Sequence, residues 1–213
     1  MDTETHNRTN YQKLLERYLE NAVPGEKLFL HCCCAPCSSY VLEYLSDYFE
    51  ITVFFYNPNL FPQEEYLHRK EELMRLISEM DFRYPVHVMD ADYDHSEFLE
   101  ACGPYSDAPE GGARCLECFR LRLGRTAASA AEFGYGLMCT TLTISPLKNS
   151  NILNAVGMAV AAEHGIRWLP SDFKKRGGYQ RSIELCRLHS IYRQNYCGCE
   201  FSRREQNERG DQQ

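Results

Sequence analysis

Five short apolar runs alternate with longer amphipathic stretches, and this alternation restricts the chain to an α/β fold. The runs occupy residues 27–31, 51–56, 85–89, 137–143 and 166–169. The second, Ile51-Thr52-Val53-Phe54-Phe55-Tyr56, is β-branched and aromatic and is stopped by Asn57-Pro58-Asn59, so it reads as a buried strand. Helical spacing marks residues 38–48, 62–80, 96–102, 115–133, 149–164 and 178–192. Pro62 suits a first helical turn, and Gly134 is a natural stop for the Ala-rich helix before it. The pattern predicts a Rossmann-like open, mostly parallel sheet flanked by helices. It is expected to form a single α/β domain over 25–202, with a polar N-terminal extension at 1–24 and a disordered polar tail at 203–213. No apolar run approaches the roughly 18 residues of a membrane span, so no membrane partner is expected.

In such sheets chemistry gathers at the carboxyl ends of the strands. The first run ends directly in His31-Cys32-Cys33-Cys34-Ala35-Pro36-Cys37. That turn contains neither G-x-G-x-x-G nor G-x-x-x-x-G-K-[ST], which argues against a dinucleotide or P-loop nucleotide. The chain holds 11 cysteines, and Met1 to Glu20 is polar with no secretory pattern. A reducing cytoplasmic location is therefore expected, where cysteines read as metal ligands or catalytic thiols before structural disulfides. Three groups stand out: Cys32-Cys33-Cys34-x-x-Cys37, Cys115-x-x-Cys118 and Cys197-Gly198-Cys199.

Four thiolates form the usual shell of a structural zinc or a [4Fe–4S] cluster, and the residues leave both open. Cys115 and Cys118 fall at a helix N-terminus, where free N–H groups favour thiolate. Adjacent Cys33 and Cys34 reach one centre only if the strand has already broken, and Ala35-Pro36 supplies a turn. Cys197-Gly198-Cys199 reads either as ligands of a second metal or as a dithiol cycling to a disulfide. Cys102, Cys139 and Cys186 lie in periodic segments and read as small buried hydrophobes. His31 reads as a strand-end histidine with a satisfied hydrogen bond, and the acidic run 90–95 as a solvated loop.

The net charge of −7 hides an asymmetry. Residues 1–112 hold 8 Lys+Arg against 21 Asp+Glu, a net of −13, whereas residues 113–213 carry +6. A bulk acidic balance argues against indiscriminate nucleic-acid binding but permits one directed polyanion surface. Lys174-Lys175-Arg176-Gly177-Gly178-Tyr179-Gln180-Arg181 combines cations, a flexible turn and an aromatic, a composition suited to phosphate contact and base stacking.

At this level of detail the chain resembles the cobalamin-independent epoxyqueuosine reductases, the QueH family. The resemblance is carried by His31 to Cys37, Tyr56-Asn57-Pro58-Asn59, Glu110 to Leu123, Thr140 to Asn149, Leu169 to Lys175 and Tyr192 to Cys199, covering roughly residues 25–202. It implies an iron–sulfur-dependent oxidoreductase that converts epoxyqueuosine to queuosine at the wobble position of tRNA by two-electron removal of the epoxide oxygen. It further implies a [4Fe–4S] cluster on Cys33, Cys34, Cys115 and Cys118, a nearby mononuclear iron, no cobalamin, and a redox-active pair in Cys197 and Cys199. Cys37, Cys197 and Cys199 are candidate ligands of the second iron. An external electron donor is needed. The tRNA partner is expected at Lys148, Lys174, Lys175, Arg176, Arg181 and Arg193, and proton donors are sought among Asp172, Tyr179 and His31. The rival readings are a zinc-stabilised RNA-binding module without redox activity and a thiol-disulfide oxidoreductase using Cys115 and Cys118.

Overall fold

A computed structural model describes residues 9–210, the last three by backbone alone. Five parallel strands, β1 (Glu26–His31), β2 (Phe49–Phe54), β3 (Val86–Met89), β4 (Leu137–Thr140) and β5 (Arg167–Trp168), form one sheet in the order β3-β2-β1-β4-β5. The helices are α1 (Tyr11–Leu19), α2 (Ala35–Leu45), α3 (Gln63–Glu79), α4 (His95–Cys102), α5 (Ala113–Glu132), α6 (Ser150–Glu163), α7 (Gly178–Leu188) and α8 (Glu200–Gly210). The order reverses between β1 and β4, which opens a crevice beyond their carboxyl ends.

The strands are apolar throughout because both faces are covered. Leu28 and Leu30 pack into one core with α1, α2, α3 and α7, while Phe29 between them joins the core against α5 and α6. Leu137 and Cys139 likewise divide from Met138. Cys139 and Cys186 are buried in the first core, as their periodic settings predict.

Both expected ends are corrected. Residues 11–19 of the expected polar extension form α1, with Asn10 capping the Lys13 N–H and with Leu15 and Leu19 buried in the core. The expected disordered tail is helical over 203–210. Phe201 is buried, and the Arg114 guanidinium donates to Glu205 at 2.6 Å. Residues 1–8 and 211–213 lie outside the described residues.

Local chemistry moved three further boundaries. β4 stops at Thr140 because its hydroxyl accepts the Leu142 N–H and caps a 3₁₀ turn over Thr141–Ile144. α7 ends at Leu188, short of residue 192, and Ser190 takes a positive φ. Pro36 lies in the first turn of α2 and does not delay it, since the N–H it lacks would have no helical acceptor there.

Candidate active site

β1 breaks at Cys32, and the next residues build the site. Cys33 spans the break, Cys34 is the N-cap of α2, and Cys37 lies in its first turn. Their three Sγ atoms lie within 4.8 Å of one another, and Cys33 and Cys34 are 3.7 Å apart. Among the described residues no other group of three histidine, cysteine or carboxylate donors comes together so closely. The loop is held across the crevice. The Cys33 N–H donates to Thr141 Oγ1 at 3.4 Å, and Asn57 Nδ2 donates to the Cys32 carbonyl at 2.9 Å. Gln194 Nε2 reaches Cys34 Sγ at 3.0 Å.

Three cations face the thiols. Hydrogen bonds from Cys34 and Cys37 hold the Cys33 thiol well below the usual range, and Arg122 and Lys148 act in the same direction. The same bonds to Cys33 push Cys34 up to about 12 and raise Cys37. Arg122 is 2% exposed, and its guanidinium reaches Asn57 Oδ1 and, at 3.9 Å, Cys118 Sγ. Burial works against its charge, but Cys118, Cys33 and Cys197 sustain it. Burial also opposes the charge of Lys148, which Cys197, Cys37 and Cys33 favour. Arg69 is equally buried, pairs with Glu65 at 2.7 Å and donates to the Cys197 carbonyl at 3.1 Å. One nitrogen of each arginine, Arg69 Nη2 and Arg122 Nε, is buried without a partner.

The C-x-C turn joins two cavities. The first, of about 170 Å³, is lined by Cys33, Cys34, Cys37 and Cys197 together with Tyr179 and Lys148. The second is lined by Cys115, Cys118, Cys197 and Cys199. Cys197 therefore faces both. Gly198 has φ +111°, and a Cβ there would lie 2.3 Å from Leu60 Cδ2, so the turn requires glycine. Cys115 accepts the Gly111 N–H at 3.2 Å in the first turn of α5, although burial still raises its thiol. Hydrogen bonding with Cys102, and burial, raise Cys118, and burial raises Cys199 to about 12. Cys102 is thus a core residue packed directly against Cys118 and Cys199.

The model of the family described as epoxyqueuosine reductase QueH matches residues 28–205, a span that holds all three cysteine groups. The chain belongs to that family. It is 39% identical over 206 residues to epoxyqueuosine reductase QueH of Staphylococcus epidermidis, covering 93% of this chain and 87% of the relative. Identity to the QueH protein of Streptococcus pyogenes serotype M1 is 40% over 204 residues, covering 93% and 80% of the two chains. To that of Thermotoga maritima it is 34% over 185 residues, covering 85% and 93%.

For this QueH-family chain the residues singled out in the sequence separate into groups. His31 is fully buried. Its Nε2–H donates to the Tyr56 carbonyl at 3.2 Å, which leaves Nδ1 to accept from the Thr140 hydroxyl at 2.8 Å. Burial lowers its pKa to about 3, so it is a neutral structural residue. Asp172 pairs with Lys174 at 2.9 Å, whereas Tyr179 lines the first cavity. Lys174 is held by the Thr143 carbonyl at 2.8 Å, Arg176 by Glu16 at 2.9 Å and Arg181 by Glu43 at 2.7 Å. Lys175 and Arg193 are exposed and have no ion pair among the described residues. Lys148 and Arg193 face the first cavity.

Arg69 and Arg122 escaped the sequence reading, yet a signal existed. Arg122 is four residues from Cys118 on one helix face. Arg69 interrupts the apolar stripe Tyr66, Leu73, Leu76 that α3 buries. Among the described residues no helix is long and apolar enough to cross a membrane.

Proposed function

We propose that this chain reduces epoxyqueuosine to queuosine in tRNA. The three-thiol group at the switch point of the sheet, faced by buried cations and opening into a cavity, is the observation that carries the reading. Family membership supports it. The transformation consumes two electrons and two protons. Both carbon–oxygen bonds of the epoxide break, a carbon–carbon double bond forms, and the oxygen leaves as water.

The donor set fits an iron–sulfur group: soft thiols, among them Cys33, whose pKa its hydrogen bonds lower, with positive charge nearby to balance an anionic cluster. Cys33, Cys34, Cys115 and Cys118 would hold a [4Fe–4S] cluster, and Cys37, Cys197 and Cys199 a second iron or a redox pair. When bound, these groups supply single electrons and Lewis acidity toward an oxygen. Cys197 lines both cavities and so stands beside thiols of both proposed sets.

The protein's own residues do the rest. Lys148 and Arg122 keep positive charge beside the thiols and favour a developing alkoxide. Tyr179 offers the proton on its Oη at the cavity wall. Arg193 and Lys175 meet tRNA phosphates. The electrons come from an external donor in a reducing cytoplasm, where eleven unpaired thiols are at home. Incubation of anaerobically prepared protein with reductant and epoxyqueuosine-containing tRNA tests this. Nucleoside mass spectrometry should show queuosine appearing as epoxyqueuosine disappears, and absence of conversion contradicts the reading.

A further inference from the structure

The walls of the two cavities carry thiols and cations, among them Arg69, Arg122, Lys148 and Arg193. Against these stands a single carboxylate among the described residues: Glu110 lines both cavities. It lies in the loop before α5 and is exposed at the mouth. Its Oε2 accepts from Ser202 Oγ at 3.5 Å. The same Ser202 hydroxyl accepts the Cys197 N–H at 3.3 Å, and the Ser202 N–H donates to Cys199 Sγ at 3.3 Å. One serine thus ties the carboxylate to the C-x-C turn.

Among the described residues no cation takes up this charge. Arg114, four residues along, directs its guanidinium to the Ser106 and Ala108 carbonyls and to Glu205. Glu110 forms no ion pair among the described residues. A carboxylate that stays unpaired beside several cations is available to a positively charged ligand, and it removes the repulsion such a ligand would otherwise meet there.

We propose that Glu110 binds the protonated secondary amine of the modified base and so sets which base is accepted and where its epoxide sits. The inference rests on the function proposed above. In epoxyqueuosine the amine joins the methylene of the 7-deazaguanine to a cyclopentane carbon next to the epoxide. A contact from Glu110 to that nitrogen brings the epoxide beside Cys197, whose N–H shares Ser202 with the carboxylate. Guanine, which has no amine at this position, gains nothing from Glu110.

Binding of two anticodon stem-loop RNAs, identical except for epoxyqueuosine or guanine at the wobble position, tests the assignment. The wild-type protein should bind the modified RNA about three- to tenfold more tightly, the range of an exposed charge-assisted contact. Glu110→Gln should abolish most of that preference while leaving affinity for the guanine RNA within about twofold. Raising the pH through the amine's titration should erase the wild-type preference and leave the Gln variant unmoved. Glu110→Asp should retain the pH dependence. A Gln variant that keeps the wild-type preference, or a wild-type protein that shows none, overturns the role of Glu110. A wild-type protein that prefers the modified RNA but converts none of it under reductant counts against the proposed reaction and leaves the Glu110 contact standing.

Discussion

Cys33, Cys34 and Cys37 come from five consecutive positions, yet they converge because the strand ends at His31 and the helix begins at Ala35. The spacing of the thiols and the break after β1 were legible in the sequence. The charges around them were not, since Arg69, Arg122 and Lys148 come from three distant segments that only the fold unites. His31 shows the reverse case: a histidine beside thiols invites a catalytic role, but both ring nitrogens are already bonded in the core. Its lowered pKa has a measurable consequence. Between pH 6.5 and about 3 the unfolded chain binds a proton that the folded chain excludes, so stability falls as pH falls through that window and is retained above it. The His31 contribution lost between pH 7 and pH 5 is about 2 kcal/mol. Urea unfolding at the two pH values, with chelator and reductant present, should show a smaller pH-dependent loss for His31→Gln than for the wild type. Equal losses would remove His31 from the account.

The strands and central helices follow from periodicity, whereas the terminal elements do not. α1 carries four charged or amide residues among its nine, and only the positions of Leu15 and Leu19 on a common face reveal that the helix docks. α8 is more polar still and is anchored by Phe201 and by the Glu205 contact with Arg114. Such contacts lie far apart in sequence, so local composition reads as extension and tail. Leu15 is fully buried, and Leu15→Ala should destabilise the protein by about 2–5 kcal/mol in chemical unfolding, the usual loss for a buried leucine. A change below about 0.5 kcal/mol, typical of surface positions, would mean that α1 is the loose extension its composition suggests.

Charge organises the molecule as a whole. The basic second half was legible from composition, but the use of each cation was not. Arg176 and Arg181 pair with Glu16 and Glu43, acids contributed by the first half. Half of the six expected RNA-contact residues, Lys174, Arg176 and Arg181, are therefore already engaged within the fold, and the proposed phosphate contacts are Lys175 and Arg193. Replacing Lys175 or Arg193 with Ala should reduce the salt slope of tRNA binding by about one unit each, and Arg176→Ala should change it less. An unchanged slope for Lys175→Ala and Arg193→Ala would place the RNA on another face.

The fold brings the thiols, the cations and Glu110 to one crevice between β1 and β4. The most direct measurement of what that crevice does is single-turnover conversion of epoxyqueuosine in tRNA under reductant, followed by nucleoside mass spectrometry for the wild type, Cys34→Ala and Cys139→Ala. The wild type and the core variant Cys139→Ala should produce queuosine, and Cys34→Ala should produce none. Conversion by Cys34→Ala at the wild-type rate, or none by the wild type, would contradict the account.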